Sequence, residues 1–179
     1  GYGVSTEAPG NIDDLRRHLI CVNKHDGRML WNESLPSTVR EQPYEGMIVR
    51  HGYASSTPAA DADGVYVYYG TGGAAAYSHD GALRWHRSCG ASTQGYGSAS
   101  SPILVDDLLI IDASVEGPGY PGAAALLALR KETGEEVWQQ SQFGGGAYLT
   151  PTLVETGGQR QLVVSQPWGH AIVGASLET

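Results

Sequence analysis

The chain has 179 residues, with 19 Asp plus Glu against 11 Lys plus Arg and a formal net charge of -8. That length suffices for one domain with a buried core, and the acidic balance argues against nucleic acid or an anionic lipid surface as partner, since each demands a basic face. Hydrophobic residues make up 41% without any apolar run of the roughly 18 residues a membrane span needs, while 25 Gly and 10 Tyr against one Phe suit a turn-rich all-β protein.

Taken in chain order, the first predicted element is a helix-like stretch over residues 12–17, which Asn11 is placed to cap. Six residues are too few to stand alone, so the stretch reads as an excursion on the way into a strand. Residues 20–31 (ICVNKHDGRMLW) then read as strand, turn and strand. Four short strands follow at 58–61, 65–69, 74–78 and 83–87, joined by Asp63-Gly64, Gly72-Gly73 and Asp80-Gly81, pairs that suit hairpin turns with φ > 0. The pattern recurs at 103–105, 108–112, 124–130 and 136–140. The unbroken apolar runs 108–111 and 162–164 suit a sheet covered on both faces.

These elements repeat. Trp31, Trp85 and Trp138 stand 54 and 53 residues apart, and a glycine (Gly27, Gly81, Gly134) lies four residues before each. Asp26, Asp80 and Thr133 precede those glycines, and Thr57-Pro58, Ser101-Pro102 and Thr150-Pro151 open an apolar run in the same phase. Residues 171–179 (AIVGASLET) resemble 127–133 (LALRKET), so the next glycine and tryptophan are expected just beyond Thr179. The units are predicted at 53–88 and 97–141, with partial ones at 1–35 and 147–179. Four short strands per unit without helical periodicity predict an all-β fold, a partial β-propeller of about three to four antiparallel four-stranded blades.

The closing segment of each unit resembles the repeat of quinoprotein-like (pyrroloquinoline-quinone-like) propellers, roughly A-L-D-x-x-T-G-x-x-x-W. The resemblance implies that Gly27, Gly81 and Gly134 make the hairpin turn. It also implies that Trp31, Trp85 and Trp138 dock from the outer strand against the next blade, largely buried. The usual Asp is replaced here by Asn23, by Tyr77 or Ser78, and by Arg130. Residues 54–58 (ASSTP) and 98–102 (SASSP) also look like the envelope-associated bacterial proteins carrying these repeats. The implied role is a non-catalytic binding or scaffolding module of the periplasm or cell envelope.

The alternative within the same fold class is a fragment of a quinone-dependent alcohol dehydrogenase. Those enzymes resemble one another in a vicinal cysteine pair, a stacking tryptophan, a Glu/Asn calcium set and an aspartate base. Here Cys21 and Cys89 are 68 residues apart in different units, so no catalytic residue, quinone or metal is assigned. A bridge between the two thiols stays open in an oxidising compartment, although two lone thiols is the simpler reading.

Other candidates are weaker. Asp61-Ala62-Asp63-Gly64 hints at a calcium loop but lacks the remaining oxygen ligands, and a turn accounts for it. The runs at 70–73 and 144–146 are glycine-rich, yet no helix follows to hold a phosphate. His25 and His79 hold equivalent turn positions, and His18, His86 and His170 have no partner at ligand spacing. Asn32-Glu33-Ser34 fits a glycosylation sequon, a match common by chance. His51 and Tyr53, Tyr96, and Tyr148 precede the innermost strands of three units, whose ends gather at the axial funnel of a propeller. Aromatic faces with hydrogen-bonding groups there would suit a peptide, protein or glycan ligand. Unpaired edges at both ends are expected to recruit either a head-to-tail copy or further blades of a longer chain.

Overall fold

A hairpin of β1 (Arg16–Val22) and β2 (Met29–Pro36) opens the fold. Two complete four-stranded sheets follow. The first runs β3 (Ala59–Ala60), β4 (Val65–Tyr68), β5 (Ala74–Tyr77) and β6 (Leu83–Arg87); the second runs β7 (Ile103–Val105), β8 (Leu108–Ser114), β9 (Ala124–Arg130) and β10 (Glu136–Gln140). A three-stranded sheet of β11 (Thr152–Thr156), β12 (Gln159–Ser165) and β13 (Ile172–Ser176) ends the fold. Within each sheet the strands are antiparallel and ordered as in the chain. The structure, a computed structural model, describes residues 7–38, 41, 43–46, 48–90, 98–114, 124–140, 149–165 and 172–176. The sheets are blades of a partial quinoprotein-like propeller, called blades 1 to 4 below.

Three apolar layers join successive blades. Leu19 and Leu35 of blade 1 pack on Val67, Tyr69, Ala75 and Tyr77 of blade 2. The opposite face of blade 2 (Tyr66, Tyr68, Ala74, Ala76) packs on Leu109, Ile111, Leu127 and Leu129 of blade 3. Ile110, Leu126 and Ala128 then meet Leu162 and Val164 of blade 4. The unbroken apolar runs therefore have the expected cause: alternate residues of Leu109-Ile110-Ile111 serve two different interfaces, and all three are 0% exposed.

The structure corrects the sequence reading in four places. The expected helical stretch is only a 3-10 turn, Ile12–Asp14, capped by Asn11 Oδ1 accepting from the Asp13 amide at 3.1 Å. Arg16 and Arg17 already belong to β1, because Arg17 and Leu19 alternate inward with strand period. A one-turn helix α1 (Ile48–His51), unsignalled by any periodicity, precedes the inner strand of blade 2. Gly64 does not take up φ > 0; a Cβ there would lie 2.5 Å from the Tyr77 carbonyl oxygen, so close approach and not turn type requires glycine.

The fourth correction concerns register. The outer hairpins close through Asn23 N–H to Arg28 O, Ser78 N–H to Ala82 O, and Arg130 N–H to Glu135 O. The blade 2 turn is thus one residue shorter, and the counterpart of Asn23 and Arg130 is Ser78. Aligned on their glycines without a gap, the third strands of blades 2 and 3 are out by one residue. A slip of one places every side chain on the wrong face. With the gap, Ala75 and Leu127 correspond, and each faces the preceding blade.

Candidate functional site

The inner-strand starts are tied to one another around the axis. Ser101 Oγ accepts the Thr57 amide at 2.9 Å, and Thr150 Oγ1 accepts the Ser101 amide at 3.0 Å. The recurring Ser/Thr-Pro pair thereby hands one hydroxyl to the blade before it, and Pro holds the strand entry extended. Ser56 Oγ donates to Ser100 O at 2.6 Å alongside. The sequence shows the repeat of this pair without showing the bond it makes, which runs between units.

Beside this ring, Arg17 reaches from β1 into the connection between blades 1 and 2. Its Nε donates to Tyr53 O at 3.0 Å, its Nη1 to Ser37 Oγ at 2.7 Å, and its Nη2 to Thr71 Oγ1 at 3.3 Å and to Glu41. Thr71 also donates to Glu41. The ion pair is buried, with side-chain exposures of 2% for Arg17 and 4% for Glu41. The Tyr53 ring lies 5.9 Å from the guanidinium and 6.0 Å from Tyr44. Of the four funnel residues expected from the sequence, Tyr53 stands at this hub and His51 ends α1; Tyr96 and Tyr148 lie outside the described residues. No sequence signal marks the Arg17–Glu41 centre: Arg17 ends the stretch that reads as helix, and Glu41 lies 24 residues on, outside the repeat pattern.

On the outer rim, the Trp31 indole donates to His79 O at 3.0 Å and its ring lies against Gly81, where a Cβ would come within 3.0 Å. Trp85 repeats this one blade on, donating to Lys131 O at 3.0 Å over Gly134, where a Cβ would come within 2.7 Å. Gly81 and Gly134 have φ of 92° and 75°, so each glycine serves both the turn and the ring above it. All three tryptophans are intermediate in exposure, with most of each side chain covered and its ring packed on a layer between blades. Trp138 packs on the layer between blades 3 and 4.

At the other end of the blades, Asp61 Oδ1 accepts the amides of Asp63 and Gly64 at 2.9 and 3.2 Å. Lys131 Nζ from blade 3 bonds both Asp61 and Asp63 at 2.6 Å. The ammonium lies between the two carboxylates. Among the described residues no three His, Cys, Asp or Glu side chains are grouped to hold a metal, and no helix is long and apolar enough to cross a membrane. Cys21 and Cys89 are free thiols, and burial pushes that of Cys89 up to about 12.

The profile of the family described as outer membrane protein assembly factor BamB matches residues 12–163, most of the chain. The chain belongs to this family. The solved structure of BamB from Moraxella catarrhalis is similar at 17% identity with a TM-score of 0.34, over 89% of this chain and 58% of that one. The chain thus spans less than two thirds of that protein's length. No curated protein sequence matches it.

In this BamB-family chain Asp112 occupies the β8 position that Tyr68 holds in β4, since Asp112 pairs with Leu126 and Tyr68 with Ala74, which correspond in the third strands. It is 4% exposed. Burial pushes its carboxyl up to about 7 from 3.8, opposed by a hydrogen bond from the Leu149 amide. Because the folded-state value is the higher one, the folded protein holds more protons than the unfolded between those two values. Stability is therefore full below about pH 4 and falls as pH rises to about 7, by on the order of 4 kcal/mol. Asp112→Asn is expected to flatten that fall and to raise the urea midpoint more at pH 8 than at pH 5. Equal gains at both pH values would contradict it.

Proposed function

We propose that the chain is a non-catalytic binding or scaffolding propeller module of the bacterial cell envelope, and that its principal partner is another blade of the same type. The observation that carries this is the outward face of blade 1. Ile20 and Val22 are 51% and 53% exposed, whereas their repeat counterparts Ala75, Tyr77, Leu127 and Leu129 are 0–1% exposed beneath the preceding blade. Met29 and Leu30 beside them are 53% and 49% exposed. Gly27 has φ of 72° and nothing within 4 Å of a Cβ, where Gly81 and Gly134 carry an indole.

A contiguous apolar face of this kind marks a protein contact. The repeat itself names the cover: a blade whose outer strand brings a tryptophan onto Gly27, as Trp31 lies on Gly81 and Trp85 on Gly134. Further blades of a longer chain supply it most directly, and a head-to-tail copy is the other source. The axial end, where His51 and Tyr53 stand and where the repeat leads Tyr96 and Tyr148 to be expected, is the proposed place for a peptide or glycan. Membership of a family described by outer-membrane assembly supports an envelope location.

Light scattering on the 179-residue chain is expected to show concentration-dependent association that Val22→Asp weakens about tenfold. A chain that stays monomeric with that face uncovered would eliminate the head-to-tail copy. Dye-linked alcohol oxidation gained with pyrroloquinoline quinone and calcium, and lost on chelation, would overturn the non-catalytic reading.

A further inference from the structure

A cleft of about 470 Å³ opens between blades 2 and 3, on the side of the turns that follow their inner strands, within the size range of small-ligand sites. Three cations line it, and two are already matched: Lys131 to Asp61 and Asp63, and Arg130 to Asp107. The third, Arg84, makes no hydrogen bond or ion pair among the described residues. Its Nη1 lies 3.3 Å from where a Cβ on Gly64 would stand, so the bare glycine leaves room for the guanidinium at the cleft.

Behind it stands Tyr66, 0% exposed, whose hydroxyl has no hydrogen-bond partner among the described residues. That hydroxyl lies among the cleft's charges, feeling Asp61, Lys131, Asp63 and Arg84, and burial raises its titration, so it stays a donor. A buried hydroxyl without a partner costs about 1–3 kcal/mol, which a ligand oxygen recovers.

We propose that this cleft binds a carboxylate, held by the Arg84 guanidinium and the Tyr66 hydroxyl. Both open groups are donors, so the ligand must bring acceptors, and a guanidinium pairs best with a planar carboxylate. Asp63, Asp107 and Glu132 also line the cleft of a chain with net charge -8, which disfavours a multiply charged phosphate. The carboxylate comes from an acidic side chain of a peptide or from a free small acid.

Titration calorimetry with acetyl-Gly-Glu-Gly-amide, its Gln counterpart and sodium acetate tests this. The Glu peptide is expected to bind at least tenfold more tightly than the Gln peptide. Arg84→Gln is expected to cost at least tenfold and Tyr66→Phe several-fold, with near-UV circular dichroism unchanged. Arg84 is exposed, so its variant keeps the fold even if the Tyr66 variant does not. Acetate binding that is equally sensitive to Arg84→Gln shows that the carboxylate alone is read; binding of the peptide but not acetate shows that peptide groups are also needed. Equal binding of Glu and Gln peptides, no binding of any probe, or indifference to Arg84→Gln overturns the proposal.

Discussion

Trp85→Ala is expected to destabilise the chain by about 3–5 kcal/mol, the usual loss for truncating a large aromatic packed in a core. Incomplete burial places it toward the low end of that range, while loss of the indole bond to Lys131 O at 3.0 Å adds to it. Trp85→Phe keeps most of the ring and gives up the bond, so about 1 kcal/mol is expected. The seat can be tested from the glycine side as well. Gly134→Ala and Gly27→Ala impose an alanine at nearly the same φ, 75° and 72°, but only the first meets a ring, at 2.7 Å. Gly27→Ala should therefore cost about 1 kcal/mol of backbone strain, and Gly134→Ala clearly more. In a Trp85→Ala background the Gly134→Ala cost should drop to that of Gly27→Ala. Urea unfolding of these variants decides, and equal costs for the two glycines in the parent background would show that the ring does not press on the turn.

Arg17→Met is expected to lose about 3–5 kcal/mol, because it strands the Glu41 carboxylate in a buried site. Glu41→Gln should cost less, since Arg17 keeps the Ser37 hydroxyl and the Tyr53 carbonyl as partners. The double variant Arg17→Met/Glu41→Leu should recover much of the loss, as replacing a buried pair by apolar groups of similar volume is often neutral or better. Additive losses in the double variant would mean that the two charges do not depend on each other. The pair matters for more than stability: it fastens the Ser37–Tyr53 connection to the turn at Thr71, and so sets where the axial end of blade 2 lies.

Much of the architecture was legible because it is local. A strand–turn–strand unit with glycine four residues before tryptophan is written within a dozen residues, and three copies in phase leave little but a propeller. The inner Ser/Thr-Pro pairs were equally visible as a recurring landmark. The site was less legible. Tyr53 could be placed near the axis from its position before an inner strand, yet Arg17, which donates to its carbonyl, and Glu41 and Thr71, which hold Arg17, are 36, 12 and 18 residues away by sequence position. The Lys131–Asp61 contact spans 70 residues and two blades. No periodicity links such groups, because each follows the needs of its own strand or turn.

The sequence by itself determined the blade type and the recurring glycine-before-tryptophan landmark, since these are written in turn chemistry and strand alternation within one unit. Only the tertiary structure decided which residues of the third strand face which neighbour. A turn one residue shorter in blade 2 shifts Ala75, and not Ala74, into register with Leu127, and side chains alternate faces at every residue of a strand. It also decided the partners of Arg17, Lys131 and the Ser/Thr hydroxyls, because those bonds form between blades, and the distance between blades exists only once the sheets have stacked.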